Sequence, residues 1–342
     1  MQRIIDYGNN IGISQSMLKD FLIHPMFFKL KHFDGVIKKE KKSYFDLGSL
    51  VDCLVLTADW FDKIYAIYPG KISPQAKLLC EHIVNEGVDY SSYDIILDEV
   101  RKLNIFNTIK KVDTIKKKLE EEDFETYINF YSANKGKAII DQEFYLKGID
   151  IASSLLSGEF TKEYFRLGKG IEILTAHPIY WEYDDDNHSY GPTDCKSLID
   201  MIRIDHNTHT IALFDLKTTA EPTSLFPKSI MKYRYDFQAA YYMAAVKWWI
   251  NNHRLDLKDY KIKQEFSFIV ESTTTIGSPL IYQLAPHTID IGEHGAMFTE
   301  RNILKFVPGF KEAIENLNWH IIEEKWHYTR EQYENKGIVT CC

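Results

Sequence analysis

The sequence has few of the features that mark secreted, membrane-bound or metal-stapled proteins. It contains 5 cysteines in 342 residues, at no Cys-x-x-Cys spacing, so it indicates neither a disulfide framework nor a zinc ribbon. No apolar run approaches the roughly 20 residues that a membrane span needs. The opening residues, Met-Gln-Arg-Ile-Ile-Asp, contain no signal-peptide core. We therefore expect a cytoplasmic protein that does not enter a membrane.

The chain also lacks an excess of positive charge. Its 41 Lys and Arg against 49 Asp and Glu give a net charge of -8, which argues against a protein that coats nucleic acid by bulk electrostatics. An enzyme that binds a polyanion in a local groove, with the help of bound cations, remains open. Lysines cluster at 38–42 and at 110–118, and each cluster is either a solvated face or a phosphate contact.

Helical patterns fill the first half of the chain, and strand patterns begin at about residue 170. Residues 14–58 predict three helices, with a break at His24-Pro25 because the residue before a proline avoids the helical region. Residues 74–168 predict further helices. Later strands are predicted at 171–174, 179–183, 264–271 and 279–285, and later helices at 229–250 and 288–322. This order predicts an α/β fold with a small central sheet and a mainly helical N-terminal part.

Residues 198–219 predict two antiparallel strands joined by a tight turn. If Asn207 and Thr208 form the turn, Asp200 faces Asp215 across the hairpin, and Lys217 lies two residues on, on the same face. Facing carboxylates lie about 5 Å apart at Cβ and repel each other. A divalent cation between them would remove that repulsion.

The apolar run 211–214 ahead of Asp215 is typical of a central strand that is buried on both faces. Charges at the end of such a strand need a reason, because burying them is costly. The alternative is an exposed edge hairpin, in which an Asp-x-Lys tripeptide occurs by chance. The hairpin therefore predicts a metal site, and the burial of its second strand decides between the two interpretations.

Several motifs follow one another in a recognisable order. They are Ser16-Met17-Leu18 with Pro25 and Phe28, the segment 48–56, Asp200, Asp215-Leu216-Lys217-Thr218-Thr219, Gln238 with Tyr242, and Ile269-Val270-Glu271. Together they resemble the PD-(D/E)XK nuclease superfamily, and within it the RecB-type branch. The likeness is closest to the RecE-like (exonuclease VIII) phage and prophage exonucleases, and it spans roughly residues 14–320.

This resemblance implies a restriction-endonuclease-like core, a central mixed sheet flanked by helices, in a single nuclease domain over residues 1–342. Within it we predict a helical part at 1–168, the core at 169–322 and a tail at 323–342. It also implies that Mg²⁺, or Mn²⁺ in its place, is held by Asp200, Asp215 and the backbone carbonyl of Leu216. Glu182 is the candidate for an outer acidic ligand, with an exposed strand-end glutamate as the alternative.

Other site residues follow from the same resemblance. Lys217 would orient or deprotonate the attacking water, and Gln238 and Tyr242 would brace the site or touch DNA, unless they are an ordinary helix face. The sequence departs from the family at Asp52, where relatives have a histidine near the metal. We predict that Asp52 serves Mg²⁺ there, directly or through water, with a partly exposed helix aspartate as the alternative. A second departure is Leu198, because many relatives have a basic residue at this position. Lys196 would take over the role of that basic residue, although imperfectly.

The implied function is degradation of linear duplex DNA from its ends, as in phage-type recombination in a bacterial host cytoplasm. By analogy the enzyme would form a ring-shaped homo-oligomer and act beside a single-strand annealing protein. Two alternatives stay open. One is an endonuclease of the same fold in restriction or defence, and the other is a non-catalytic module that binds DNA or a partner.

Overall fold

The computed structural model describes residues 11–37, 47–109, 111–121, 124–185, 189–300 and 303–338. The predicted lysine cluster at 38–42 lies outside these ranges, as does Lys110 of the second cluster. In the ranges that are described, no helix is both long and apolar enough to cross a lipid bilayer.

Within the described ranges, the helices alternate with nine strands. The helices are α1 Gln15–Ile23, α2 Pro25–Phe28, α3 Leu47–Leu56, α4 Phe61–Ile64, α5 Pro74–Glu86, α6 Tyr93–Lys102, α7 Val112–Glu121, α8 Phe124–Ala133, α9 Gln142–Ser157, α10 Lys162–Phe165, α11 Pro227–Lys232, α12 Tyr235–His253, α13 Pro286–His294, α14 Phe310–Glu323 and α15 Arg330–Glu334. The strands are β1 Tyr65–Tyr68, β2 Ala138–Asp141, β3 Ile171–Tyr183, β4 Thr193–Asp205, β5 Thr210–Thr219, β6 Lys261–Ser272, β7 Leu280–Leu284, β8 Ala296–Glu300 and β9 Ile303–Val307.

Contacts within the chain divide it into two compact units. The sheet unit combines the described residues of 1–42, 55–57 and 151–342, and the helical unit combines those of 43–54 and 58–150. The helical unit has its own apolar cores and a two-stranded parallel sheet, β1 with β2, that the sequence patterns did not predict. Strands of four residues are too short to show a period. The single domain over 1–342 stays a prediction.

The sheet unit is built on a five-stranded mixed sheet in the order β3-β4-β5-β6-β7. Only β5 and β6 run parallel, and the chain crosses between them through α11 and α12. The long helix α12 packs on the sheet, with Phe237, Tyr241 and Ala245 fully buried in the same core as strand residues such as Ile202. This arrangement confirms an α/β fold with a central mixed sheet flanked by helices.

The first two described helices follow their local sequence signals. Ser14 caps α1, its Oγ accepting a bond from the Met17 backbone N at 3.4 Å. The helix ends at Ile23, and Pro25 opens α2, as the His24-Pro25 pair predicts.

The hairpin has the predicted register. Strands β4 and β5 pair from Asp205–Thr210 to Met201–Phe214. The loop between the paired ends is longer than the predicted two-residue turn, because the Asp205 carboxylate accepts bonds from the Asn207 and Thr208 backbone N atoms at 2.9 and 3.2 Å.

The prediction of one helix over 288–322 is wrong. The segment contains α13, the hairpin of β8 and β9, and α14. Gly295 ends α13 with a φ of +83°, and Pro308-Gly309 precedes α14, so both breaks occur at residues that favour turns. The predicted helix at 229–250 is likewise two helices, because Arg234 takes a left-handed φ of +53°.

Candidate active site

The two aspartates of the hairpin lie where β4 and β5 separate. Beyond the Met201–Phe214 pair, β4 continues only with β3, and β5 continues with β6. Asp200 and Asp215 are the first residues past the last pair, and we call this place the strand fork. Ile13 fills the edge that β5 leaves, since its backbone N bonds to the Asp194 carbonyl at 2.8 Å and its carbonyl accepts from the Lys196 N at 2.8 Å.

Asp215 is buried at the end of the apolar run of β5, with 2% of its surface exposed. Its Oδ1 accepts a hydrogen bond from Gln238 Nε2 at 2.6 Å, which comes from the first turns of α12. Its Oδ2 faces the Lys217 ammonium in an ion pair. This ion pair is the contact that the structure gives to the buried Oδ2.

Asp200 points into the fork from β4. Its Oδ2 accepts a hydrogen bond from the Leu216 backbone N at 2.8 Å. The Asp200 carboxylate therefore satisfies a backbone donor of β5 at the point where β4 and β5 separate. The two aspartates are therefore not a cross-strand pair as predicted, although both lie at the end of the paired region.

Lys217 carries a firmly held positive charge. Burial lowers the pKa of Lys217, but the carboxylates of Asp215 and then Asp200 outweigh burial and raise it above its ordinary value. The ammonium also lies 5.1 Å from the centre of the Tyr235 ring. In this arrangement Lys217 is a cation rather than a base, which favours charge neutralisation over proton abstraction.

Ala176 lies across from Asp200, between the Thr175–Met201 and His177–Ile199 pairs of β3 and β4. Its φ of +44° is in the left-handed region, which costs a residue with a Cβ about 1–3 kcal/mol. The ladder is interrupted at this one position. Backbone strain is therefore concentrated beside Asp200.

Glu182 does not join the aspartates. It pairs with Asp194 on β4, six residues before Asp200, which corresponds to about 20 Å along the strand. It is exposed and lines a separate cavity of about 480 Å³ with Trp248 and Lys311. The interpretation of Glu182 as an outer ligand is corrected to that of an exposed residue near the strand end, because β3 extends well past the fork.

The remaining predicted residues fall in different places. Lys196 lies four residues before Asp200 on β4, about 13 Å away along the strand. Tyr242 lies one turn after Gln238 and packs near the Phe266 ring, at 6.3 Å between centres. Asp52 is partly exposed on α3. Asp52 and the Leu216 carbonyl stay predicted ligands.

Glu271, from the last family-like motif, is completely buried and closes a loop. Its carboxylate accepts bonds from the Ser272 backbone N at 2.7 Å, the Gly277 backbone N at 3.1 Å and the Ser154 hydroxyl. These hydrogen bonds of Glu271 therefore hold neighbouring parts of the structure together.

The sequence patterns missed Lys19. This residue is on α1, is partly exposed, and donates from Nζ to the Tyr233 carbonyl at 2.8 Å. Burial and then the charge of Lys217 lower the pKa of Lys19 to about 8, against the weaker influence of Asp236 and Asp215. A lysine on a short amphipathic helix gives no local signal of this, since its neighbours come from α12 and β5.

The donor atoms at the fork fit a hard divalent cation. Carboxylate oxygens are the ligands that Mg²⁺ prefers, and it commonly uses one or two of them together with water and phosphate. The buried Asp215 carboxylate, whose Oδ2 forms an ion pair with Lys217, is suited to this use. Among the residues that the structure describes, no three His, Cys, Asp or Glu side chains come together as a metal site, so the fork offers two carboxylates.

Comparisons with known proteins find little that is similar in sequence. No family model matches the chain, and no curated protein matches it. Among solved structures, the chain is similar to a protein of Eubacterium rectale whose crystal structure is named "Putative exonuclease". The two share 14% identity over 96% of this chain and 83% of the other, with a TM-score of 0.42. A likeness at this level adds no argument to the geometry of the fork.

Proposed function

We propose that the protein is a metal-dependent deoxyribonuclease that hydrolyses phosphodiester bonds at the ends of linear duplex DNA. The observation that supports it is the strand fork. There a buried Asp215, a neighbouring Asp200 and a charged Lys217 meet at the end of an apolar strand. Two carboxylates and a lysine are what a hydrolase needs to bind a divalent cation and neutralise a phosphate.

Asp200 and Asp215 would hold Mg²⁺, or Mn²⁺ in its place, with the Leu216 carbonyl as a further oxygen. When bound, such a cation acts as a Lewis acid on the phosphate and acidifies water. The proposed assignment uses only oxygen ligands, in keeping with the preference of both metals.

Gln238 and Lys217 would orient the carboxylate and stabilise the transition state. Gln238 holds Asp215 Oδ1 at 2.6 Å and so fixes the carboxylate's orientation with Oδ2 turned towards Lys217. Lys217, with its raised pKa, would stabilise the negative charge that develops on the phosphate oxygens. A side chain that is already charged and held in place needs little reorganisation during the reaction.

The choice of an exonuclease rests on the resemblance to RecE-like enzymes, since the chemistry of an endonuclease would use the same residues. The ring-shaped homo-oligomer, the single-strand annealing partner and the recombination role belong to the same proposal.

The test compares end-labelled linear duplex with relaxed circular duplex in Mg²⁺. We expect the wild type to degrade the linear DNA and leave the circle intact. Asp215→Asn and Lys217→Met should lower the rate about 10²–10³-fold, as removal of one group that stabilises the transition state does in other enzymes. Glu182→Gln is the matched control. It should keep the wild-type rate because the partner of Glu182 on β4 lies about 20 Å along the strand from Asp200.

Undiminished activity of Asp215→Asn would refute the assignment of the site. Cleavage of the circle would favour the endonuclease. A wild type that cleaves neither DNA with Mg²⁺ or Mn²⁺ would favour the non-catalytic module.

A further inference from the structure

Lys19 provides a second ammonium group beside the strand fork. Its Nζ lies 5.8 Å from the centre of the Tyr235 ring, and Lys217 Nζ lies 5.1 Å from the same centre. The two lysines come from distant parts of the sequence, α1 and β5, and both lie beside one aromatic ring of α12. Two positive charges near each other disfavour the protonated form of both lysines.

The two lysines differ in their partners. Lys217 is paired with Asp215, whereas none of the ion pairs formed by the described residues involves Lys19. The nearby Asp236 is already occupied, since Arg234 binds both its oxygens at 3.0 Å through Nε and Nη2. A partly buried ammonium that faces another cation, with no carboxylate of its own, is a place where an anion would bind favourably.

The geometry around Lys19 leaves donors available. An ammonium has three N–H groups, and one of them is used by the Tyr233 carbonyl at 2.8 Å. The turn that presents this carbonyl is held by Arg234, whose Nη2 also donates to the Pro308 carbonyl at 3.1 Å. The ammonium is therefore held by one hydrogen bond, on a residue that is partly exposed.

We propose that Lys19 binds a phosphate group of the DNA strand that enters the fork, next to the phosphate at Asp200 and Asp215. This inference rests on the proposed function, because it takes DNA as the ligand. Lysine suits the role as a compact point charge with rotatable donors. Bound phosphate would neutralise the repulsion between Lys19 and Lys217 that the protein otherwise bears.

The competing explanation is structural, with Lys19 serving only to hold the Tyr233 carbonyl. The two explanations differ in the salt dependence of DNA binding. Each phosphate neutralised by a lysine releases counterions and contributes about 0.9 to the slope of log K against log salt for duplex DNA, or about 0.7 for a single strand. A lysine that touches no phosphate contributes nothing to this slope.

The experiment measures binding of fluorescent linear duplex by anisotropy in EDTA, between about 50 and about 200 mM salt. The proteins are wild type, Lys19→Gln, Lys19→Arg and Lys261→Ala. Lys261 is the matched control, an exposed lysine that pairs with Thr210 at the far end of β5, about 17 Å along the strand from Asp215. Tryptophan fluorescence of each variant establishes that it is folded.

We expect Lys19→Gln to lose about 0.7–0.9 of the slope, and Lys19→Arg and Lys261→Ala to keep it. A wild-type slope in folded Lys19→Gln overturns the proposal. An equal loss in Lys261→Ala or in Lys19→Arg also overturns it, since the effect would then not belong to a charge at this position. A wild type that binds no DNA overturns it as well.

Binding in EDTA separates this inference from the proposed function. Wild-type cleavage with an unchanged slope in Lys19→Gln would leave the nuclease standing and remove the phosphate contact. A reduced slope in a protein that cleaves no DNA would keep the phosphate contact and remove the nuclease.

Discussion

Replacing Lys217 by Met should destabilise the sheet unit, because it leaves the Asp215 carboxylate buried without its cation. Removing one partner of a buried ion pair costs about 3–5 kcal/mol. The Lys217 side chain is 21% exposed and the Gln238 hydrogen bond to Asp215 remains, so we expect a smaller loss, about 2–3 kcal/mol. With a urea m-value of about 2 kcal/mol/M, the unfolding midpoint should fall by about 1 M.

A second substitution at Asp215 should reverse most of this loss. In Lys217→Met/Asp215→Asn no charge is left without a partner. The double variant should therefore be about 1–2 kcal/mol more stable than Lys217→Met alone, although both variants should degrade DNA at a strongly lowered rate. The coupling between the two substitutions measures the interaction that holds the fork together.

Tryptophan fluorescence in urea is the suitable assay. Of the 6 tryptophans, all but Trp60 lie in the sheet unit, so the signal reports mainly the unit that contains the fork. Circular dichroism on the same samples follows both units. If Lys217→Met unfolds at the wild-type midpoint, or if the double variant is no more stable than the single one, the ion pair does not carry the energy assigned to it.

Three further predictions address other residues. The pKa of Lys19 is lowered from 10.5 to about 8, so between these pH values the unfolded chain binds more protons and stability rises with pH. Lys19→Met should therefore be about 1–2 kcal/mol more stable than wild type at pH 7, after allowance for solvent screening, and should lose this advantage near pH 10.5. Urea titrations measure this difference. A variant that is less stable than wild type at pH 7 would contradict the lowered pKa of Lys19. Glu271→Gln should lower the free energy of unfolding by about 2 kcal/mol in the same titration, because it weakens the hydrogen bonds to Ser272, Gly277 and Ser154. The variant should still degrade DNA. Loss of activity in a folded variant would instead place Glu271 in the active site. Gln238→Ala should lower the rate of DNA degradation about 10-fold and raise the Mg²⁺ concentration needed, since Asp215 loses its orienting donor, and an unchanged Mg²⁺ titration would argue against that role.

The sequence alone determined the features that depend on near neighbours. The register of β4 and β5 follows from the alternation of apolar residues around a short polar turn, and it holds from Asp205–Thr210 to Met201–Phe214. The end of α1 at Ile23 follows from the His24-Pro25 pair. The burial of Asp215 follows from the apolar run before it.

The tertiary structure decided the features that depend on distant chain segments. The strand fork exists because β5 leaves β4 after Phe214 and continues beside β6 alone, while Ile13 bonds to β4 further along. Neither β6 nor Ile13 is visible in the hairpin sequence. The separation of Glu182 from the fork depends on how far β3 runs along β4. The pKa of Lys19 is lowered first by burial and then by the charge of Lys217 on β5. Local patterns determine which side chains face the core, whereas long-range pairing determines which charges meet there.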